Sequence, residues 1–272
     1  MSAVIITGAS SGIGRSTAVK LARSGKYEYI AINGGHDEAA LADTAREMKE
    51  AAAEEAKKRA EQNKEAALEE AGAEQSPDVH DVKVITVFGD ISLNITARAL
   101  IMKTVKEAGT VDALINCAAI SHVGLLMDMS PEEWQKTVEV NLNSVYNTCH
   151  EAVPYMVRQK SGRIINISSV WGLVGASCEV AYSTTKGGIN AFTRALAKEL
   201  APSGISVNAI AFGAVDTRMN GFLSDEDKTA LEEEIPFGRM MTAEEAADTV
   251  TGLLDMPLYL TGEVIKCDGG WI

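Results

Sequence analysis

The sequence predicts an α/β fold, one domain built on a doubly wound parallel sheet of seven strands with helices on both faces. Three observations lead there. Short apolar runs alternate with helix-forming stretches along the chain, the pattern of a parallel sheet covered on both sides. At 272 residues and 46% apolar side chains, the chain can bury a full core in one such domain. A glycine-rich turn stands between the first strand-like run and the first helix-like run, the usual place for a phosphate-binding turn in such sheets.

Taken in order, Val4-Ile5-Ile6-Thr7 and Tyr29-Ile30-Ala31-Ile32 read as the first two strands, and Val82 to Val87 as the third. Ala113-Leu114-Ile115, Arg163 to Ile167, Ser206 to Ile210 and Glu263 to Cys267 complete the set of seven. Right-handed crossovers then give the double winding. Two helix starts are marked by capping boxes, Ser130-Pro131-Glu132-Glu133 with proline at the first helical position and Thr242-Ala243-Glu244-Glu245. Pro202-Ser203-Gly204 ends the helix that opens near Tyr182. Residues 37–80 are longer than a crossover helix needs, and residues 39–71 are nearly all Ala, Glu, Lys, Arg and Gln. The expectation is a solvated helical insertion at about 45–76, a single extension or a helix pair, contributing little core because Met48 and Leu68 are almost its only large apolar groups.

Bulk properties narrow the function. The longest apolar run falls short of a membrane span, and Met1-Ser2-Ala3 enters the first strand with no basic leader, so the expected address is the cytoplasm. Cys117, Cys149, Cys178 and Cys267 have no C-x-x-C spacing and the four histidines do not cluster with them, so neither disulfides nor a metal site is expected. A net charge of −13 argues against nucleic acid and anionic membranes as partners.

The turn reads Thr7-Gly8-Ala9-Ser10-Ser11-Gly12-Ile13-Gly14. Its glycines permit a tight turn, close approach of backbone to a pyrophosphate, and close helix–strand packing. The helix that follows offers free N–H groups and a partial positive charge to the phosphates. Further on, Tyr182 and Lys186 stand one helical turn apart, where the ammonium should lower the phenol's pKa and make it a general acid/base for a carbonyl oxygen. Ser169, at the end of a strand, precedes Tyr182 by thirteen residues, and Asn141 lies in Val140-Asn141-Leu142.

The Gly-x-x-x-Gly-x-Gly turn, Tyr-x-x-x-Lys, serine and asparagine together resemble the classical short-chain dehydrogenase/reductase family, outside residues 45–76. The resemblance implies a Rossmann-type fold, an NAD(P)-dependent oxidoreductase and usually a homotetramer. It makes Asn141, Ser169, Tyr182 and Lys186 the catalytic tetrad, with Ser168 the rival serine. It also implies cofactor contacts from Gly8, Ser10, Ser11, Gly12, Ile13 and Gly14, from Asp90 and Ile91 at the adenine, and from Tyr182 and Lys186 at the nicotinamide ribose. Asn116-Cys117-Ala118-Ala119 corresponds to the family's Asn-x-Ala-Gly, so Asn116 and Ala118 join the cofactor set. Gly213, Val215 and Thr217 belong to a segment similar to Pro-Gly-x-x-x-Thr, with Phe212 in place of proline, which questions the rigidity of that loop.

After the second strand the chain reads Asn33-Gly34-Gly35-His36-Asp37. No acidic residue occupies the strand end, so Asn33, the glycine backbone and His36 could accept a 2′-phosphate, although no arginine is present there and Asp37 argues for NAD(H). The balance favours NADP(H). For substrate, the layout is similar to 3-oxoacyl-[acyl-carrier-protein] reductases, while Ser169 to Tyr182, Glu234 to Arg239 and Gly269-Gly270-Trp271 resemble the elongation factor P 5-aminopentanone reductases. Glu179, three residues before Tyr182, would suit a cationic amine on a small-molecule or protein-linked carbonyl, or else be a rim carboxylate. A carrier-protein reductase should carry basic docking residues; Lys160 could serve and Ser203 could not. A related carbonyl or hydroxysteroid dehydrogenase is a further alternative, and the intact tetrad speaks against a cofactor sensor without chemistry. The apolar end Trp271-Ile272 would suit a buried subunit interface.

Overall fold

The computed structural model describes residues 1–69 and 82–272. Its strands are β1 (Ala3–Ile6), β2 (Tyr29–Gly34), β3 (Lys83–Phe88), β4 (Ala113–Asn116), β5 (Gly162–Ser169), β6 (Ile205–Phe212), β7 (Val215–Asp216), β8 (Met241–Thr242) and β9 (Val264–Cys267). The helices are α1 (Gly12–Ser24), α2 (Glu38–Glu69), α3 (Asn94–Ala108), α4 (Pro131–Val138), α5 (Ser144–Gln159), α6 (Trp171–Val174), α7 (Val180–Leu200), α8 (Asp225–Glu234) and α9 (Ala243–Asp255). Seven strands form one parallel sheet in the order β3-β2-β1-β4-β5-β6-β9. This is the Rossmann-type fold. The sheet order reverses between β1 and β4, and a crevice opens there beyond the strands' C-terminal ends.

Alternating side chains divide the core. On one face Val4, Ile6, Ile30 and Ile32 pack under α1, α2 and α9. On the other Ala3, Ile5, Ala31 and Leu114 meet α3, α5 and α7. Both expected capping boxes close, with Ser130 Oγ accepting from Glu133 N–H and Thr242 Oγ1 from Glu245 N–H. Between α4 and α5 a single π-turn, Glu139–Asn143, widens the backbone and carries Asn141. Leu200 ends α7 one short turn before Gly204, which takes the left-handed conformation.

The expectation for the insertion is corrected in part. From Glu38 the helix α2 runs unbroken to Glu69, and residues 70–76 lie outside the described residues. Its first half belongs to the core. Leu41, Thr44, Met48 and Ala51 are buried in a stripe at three- and four-residue spacing, and Met48 has no exposed surface. Thr44 Oγ1 donates to Ala9 O in the glycine turn at 3.0 Å, and Arg15 donates two bonds to Glu47 Oε2. Alanines can pack against a neighbouring helix as well as larger groups do, which composition alone concealed. From Ala53 onward the described side chains are exposed or half-buried.

Candidate active site

The glycine turn after β1 forms one wall of the crevice. Gly8 and Gly12 hold φ of +67° and +53°, conformations that L side chains rarely adopt. A Cβ on Gly8 would stand 2.7 Å from the Ala118 backbone, and one on Gly14 would collide with Gly8 O. Gly14 therefore lets α1 close on the turn and does not line the crevice, whereas Gly8, Ser10, Ser11, Gly12 and Ile13 do. Ser11 precedes α1 without a side-chain cap, so the first N–H groups of a thirteen-residue helix are left for an anion. Thr7 fixes the opposite wall by accepting from Cys117 N–H and Ala118 N–H at 3.1 and 3.2 Å.

The lining continues through Asn33, Asp90, Ile91, Ala118, Gly213, Val215 and Thr217. Two buried oxygens there, Ser10 Oγ and Asn33 Oδ1, have no hydrogen-bond partner. Orphaned polar groups, two left-handed glycines and an open helix terminus fit a dinucleotide phosphate and its ribose. Two sequence expectations need correction. Asn116 does not line the crevice: its Nδ2 donates to Asn166 Oδ1 at 2.9 Å and its Oδ1 accepts from Thr148 at 2.7 Å, an internal link between β4, β5 and α5. Asn33 offers no free amide to a 2′-phosphate, since Nδ2 donates to Val87 O and Gly89 O at 3.0 Å each. The Asp90 carboxylate is likewise already engaged, by Lys136 and Ser92. Burial would raise its pKa, but hydrogen bonds from Lys136 and Ser92 outweigh this and hold it at about 2.

At the chemical end, β5 and α7 bring the predicted groups together. Ser169 and Ser168 point to opposite sides of β5, as neighbours on a strand must. Ser168 Oγ donates to Asn190 Oδ1 at 2.6 Å inside the protein, while Ser169 Oγ accepts from Trp171 N–H and stands beside the Tyr182 side chain. Lys186 Nζ donates to Ile167 O at 2.8 Å and lies 5.4 Å from the centre of the Tyr182 ring. Asn141 is wholly buried below them. Its Oδ1 accepts from Ile120 N–H at 2.8 Å, and its Nδ2 donates to Ile120 O and to Thr185 Oγ1 at 2.9 and 3.1 Å. It thus ties the loop after β4 to α7.

Electrostatics here departs from the expectation of a lowered tyrosine pKa. Burial pushes the Tyr182 phenol well above its usual value, the Glu179 carboxylate pushes the same way, and the nearby Ser169 hydroxyl offsets only part. Burial likewise lowers the Lys186 ammonium to about 8. Desolvation of both groups outweighs their attraction, so Tyr182 keeps its proton at neutral pH. A protonated phenol is the form that can donate to a carbonyl oxygen.

The sequence model of the short chain dehydrogenase family matches residues 43–228. The chain belongs to this family. Among similar proteins, an uncharacterized oxidoreductase, YmfI of Bacillus subtilis (strain 168), is 35% identical over 98% of this chain and 97% of its own length. The 3-oxoacyl-[acyl-carrier-protein] reductase FabG of Chlamydia muridarum is 40% identical over 74% of this chain and 83% of its own. Its counterpart in Staphylococcus aureus (strain Mu50 / ATCC 700699) is 35% identical over 98% and 96%. As a short-chain dehydrogenase the protein is an NAD(P)-dependent oxidoreductase acting on CH–OH and C=O groups, a carbonyl reductase. No helix among the described residues is long and apolar enough to cross a membrane.

Three features of this dehydrogenase's crevice come from contacts between distant residues. Glu179 Oε2 accepts from Ser121 Oγ at 3.0 Å, and the carboxylate has no cationic partner among the described residues. Burial raises its pKa, while Ser121 and the Trp171 side chain lower it. Trp271 sits against Trp171 with ring centres 4.8 Å apart, and both line the crevice of their own chain. The loop after β6 is held without its proline: Phe212 is buried, its carbonyl accepts from Val170 N–H, and β7 pairs with β8 at Val215–Met241 and Asp216–Thr242.

Proposed function

We propose that this protein uses NADPH to reduce a ketone that carries a cationic amine, the 5-aminopentanone group on a lysine of elongation factor P. The observation that carries this reading is Glu179, a half-buried carboxylate beside Tyr182 whose polar neighbours, Ser121 and Trp171, are neutral donors. A partly desolvated carboxylate without a counter-ion favours a cation at the place where substrate enters. In this reading the nicotinamide supplies hydride to the carbonyl carbon. Tyr182 donates the proton to the carbonyl oxygen, and Ser169 hydrogen-bonds that oxygen. Lys186 holds the nicotinamide ribose, and Asn141 positions α7 against the loop after β4. The glycine turn and the start of α1 hold the diphosphate, with Asp90 and Ile91 at the adenine and Gly213, Val215 and Thr217 along the nicotinamide.

The alternative is a 3-oxoacyl-[acyl-carrier-protein] reductase, the name its relatives from Chlamydia and Staphylococcus bear. Exposed apolar residues, Phe222 on the crevice and Leu125, Leu126 and Met127 on the chain after β4, would suit an acyl chain. Against it, Lys160 precedes β5 and so lies at the opposite end of that strand from Ser169, roughly 25 Å away at about 3.3 Å per residue. It is poorly placed to dock an acidic carrier at the crevice. A homotetramer is also proposed; the exposed Ile95 and Met102 on α3 and Tyr146 on α5 support an association surface.

The test pairs Glu179→Gln with two ketones of one shape. One has three methylenes between carbonyl and a protonated dimethylamino group; the other has isopropyl in its place. Loss of a charge-assisted hydrogen bond should lower kcat/KM on the amino-ketone by about tenfold or more. The neutral ketone registers any change in Tyr182 acidity caused by removing the carboxylate, and little change is expected there. Equal losses on both ketones, or none, would overturn the reading.

A further inference from the structure

The end of β2 carries no basic side chain, yet the fold brings one to it from far along the sequence. Arg218 follows Thr217 on the loop after β6, and both line the crevice together with His36 and Asp37. A Cβ on Gly12 would lie 3.2 Å from Thr217 Cγ2, so this segment passes directly over the glycine turn. From there Arg218 extends to the start of α2, with Nη1 4.0 Å from Asp37 Oδ2. Asp37 itself is fixed by Oδ1, which accepts from Ala40 N–H at 2.9 Å. The Arg218 side chain is 69% exposed and makes no hydrogen bond among the described residues, so its contact with Asp37 is readily exchanged for a stronger acceptor.

A second observation marks the same place. The Ser10 hydroxyl is buried and unpartnered, and a Cβ on Gly34 would collide with it. It therefore faces the C-terminal end of β2, where a dinucleotide's adenosine ribose is read in this fold. A guanidinium reaching across and an unsatisfied hydroxyl beside it are the donors that a phosphate monoester requires.

We propose that Arg218 is the cation that recognises the cofactor's 2′-phosphate, with the Ser10 hydroxyl as its companion and Asp37 holding the guanidinium until the phosphate displaces it. The proposal rests on the NADPH reading and names the residue responsible for it. Asp37 is then a competitor for Arg218 rather than a ligand of the ribose hydroxyls.

Calorimetric titration with adenosine 2′,5′-bisphosphate and with 5′-AMP isolates the 2′-phosphate without any turnover. The wild type should bind the bisphosphate more tightly. Arg218→Gln should weaken the bisphosphate by about tenfold or more and leave 5′-AMP within about twofold, the loss of one charge-assisted contact. Asp37→Asn keeps a side-chain oxygen for Ala40 N–H while removing the charge, and should tighten the bisphosphate. If the wild type discriminates and Arg218→Gln discriminates equally, the role of Arg218 is overturned while the NADPH reading stands. A wild type that binds both ligands alike overturns the NADPH reading and this proposal with it. Equal weakening of both ligands by Arg218→Gln, or weaker bisphosphate binding by Asp37→Asn, would also overturn the proposal.

Discussion

Tyr182 and Lys186 stand one turn apart on α7, but their chemistry is governed by burial more than by each other. A phenol held protonated and an ammonium lowered to about 8 describe a site prepared to give a proton. Tyr182→Phe keeps the ring and removes the donor. Turnover should fall by about a hundredfold or more, the usual share of general acid catalysis, with cofactor affinity measured by fluorescence titration unchanged. Retained turnover within a few fold would remove Tyr182 from that role. The spacing of Tyr182, Lys186 and the three glycines was legible because each motif is local. Three pairings were not, Glu179 with Ser121, Asn141 with Ile120 and Arg218 with Asp37, because the partners lie from about twenty to nearly two hundred positions apart and only the fold brings them together.

Among the elements, α2 best separates what composition reveals from what it hides. Its Ala/Glu/Lys repeats announce a helix, but nothing in composition tells a packed alanine from a solvated one. The buried stripe from Leu41 to Ala51 decides that, and Thr44 extends it to the phosphate turn. Met48→Ala should destabilise the protein by about 2–5 kcal/mol in chemical denaturation, the range for deleting a large buried side chain. Lys58→Ala, on the exposed part of the same helix, should change stability by less than about 0.5 kcal/mol. Similar effects from both would show that the stripe is not part of the core. The seven strands of the main sheet were readable from apolar runs to within two residues at each end. The β7–β8 pair was not, since two residues have no period to detect.

At the scale of the whole molecule, two thiols, Cys149 buried and Cys117 half-buried on the crevice, contribute to the response to alkali. Burial pushes Cys117 up to about 11 and Cys149 up to about 12, from an ordinary 9.0. Unfolded thiols release protons from about pH 9, while the folded ones keep theirs, so each contributes stability that is present below pH 9 and lost as pH rises toward 11 or 12. Lys186 acts in the opposite sense. Its folded pKa of about 8 lies below the ordinary 10.5, so its contribution improves as pH rises between those values. Cys149→Ala therefore should lose less stability than the wild type as pH is raised above 9, whatever the pH-independent effect of the smaller side chain. Parallel pH profiles in chemical denaturation would contradict burial as the cause. The same fold that desolvates these thiols opens the crevice at the sheet's switch point and places Glu179 beside its reactive end. That arrangement is most directly tested by NADPH oxidation in the wild type, comparing the dimethylamino ketone with an acetoacetyl thioester. A kcat/KM about tenfold or more in favour of the amino-ketone is the predicted result. A comparable preference for the thioester would contradict the account and assign the crevice to acyl substrates.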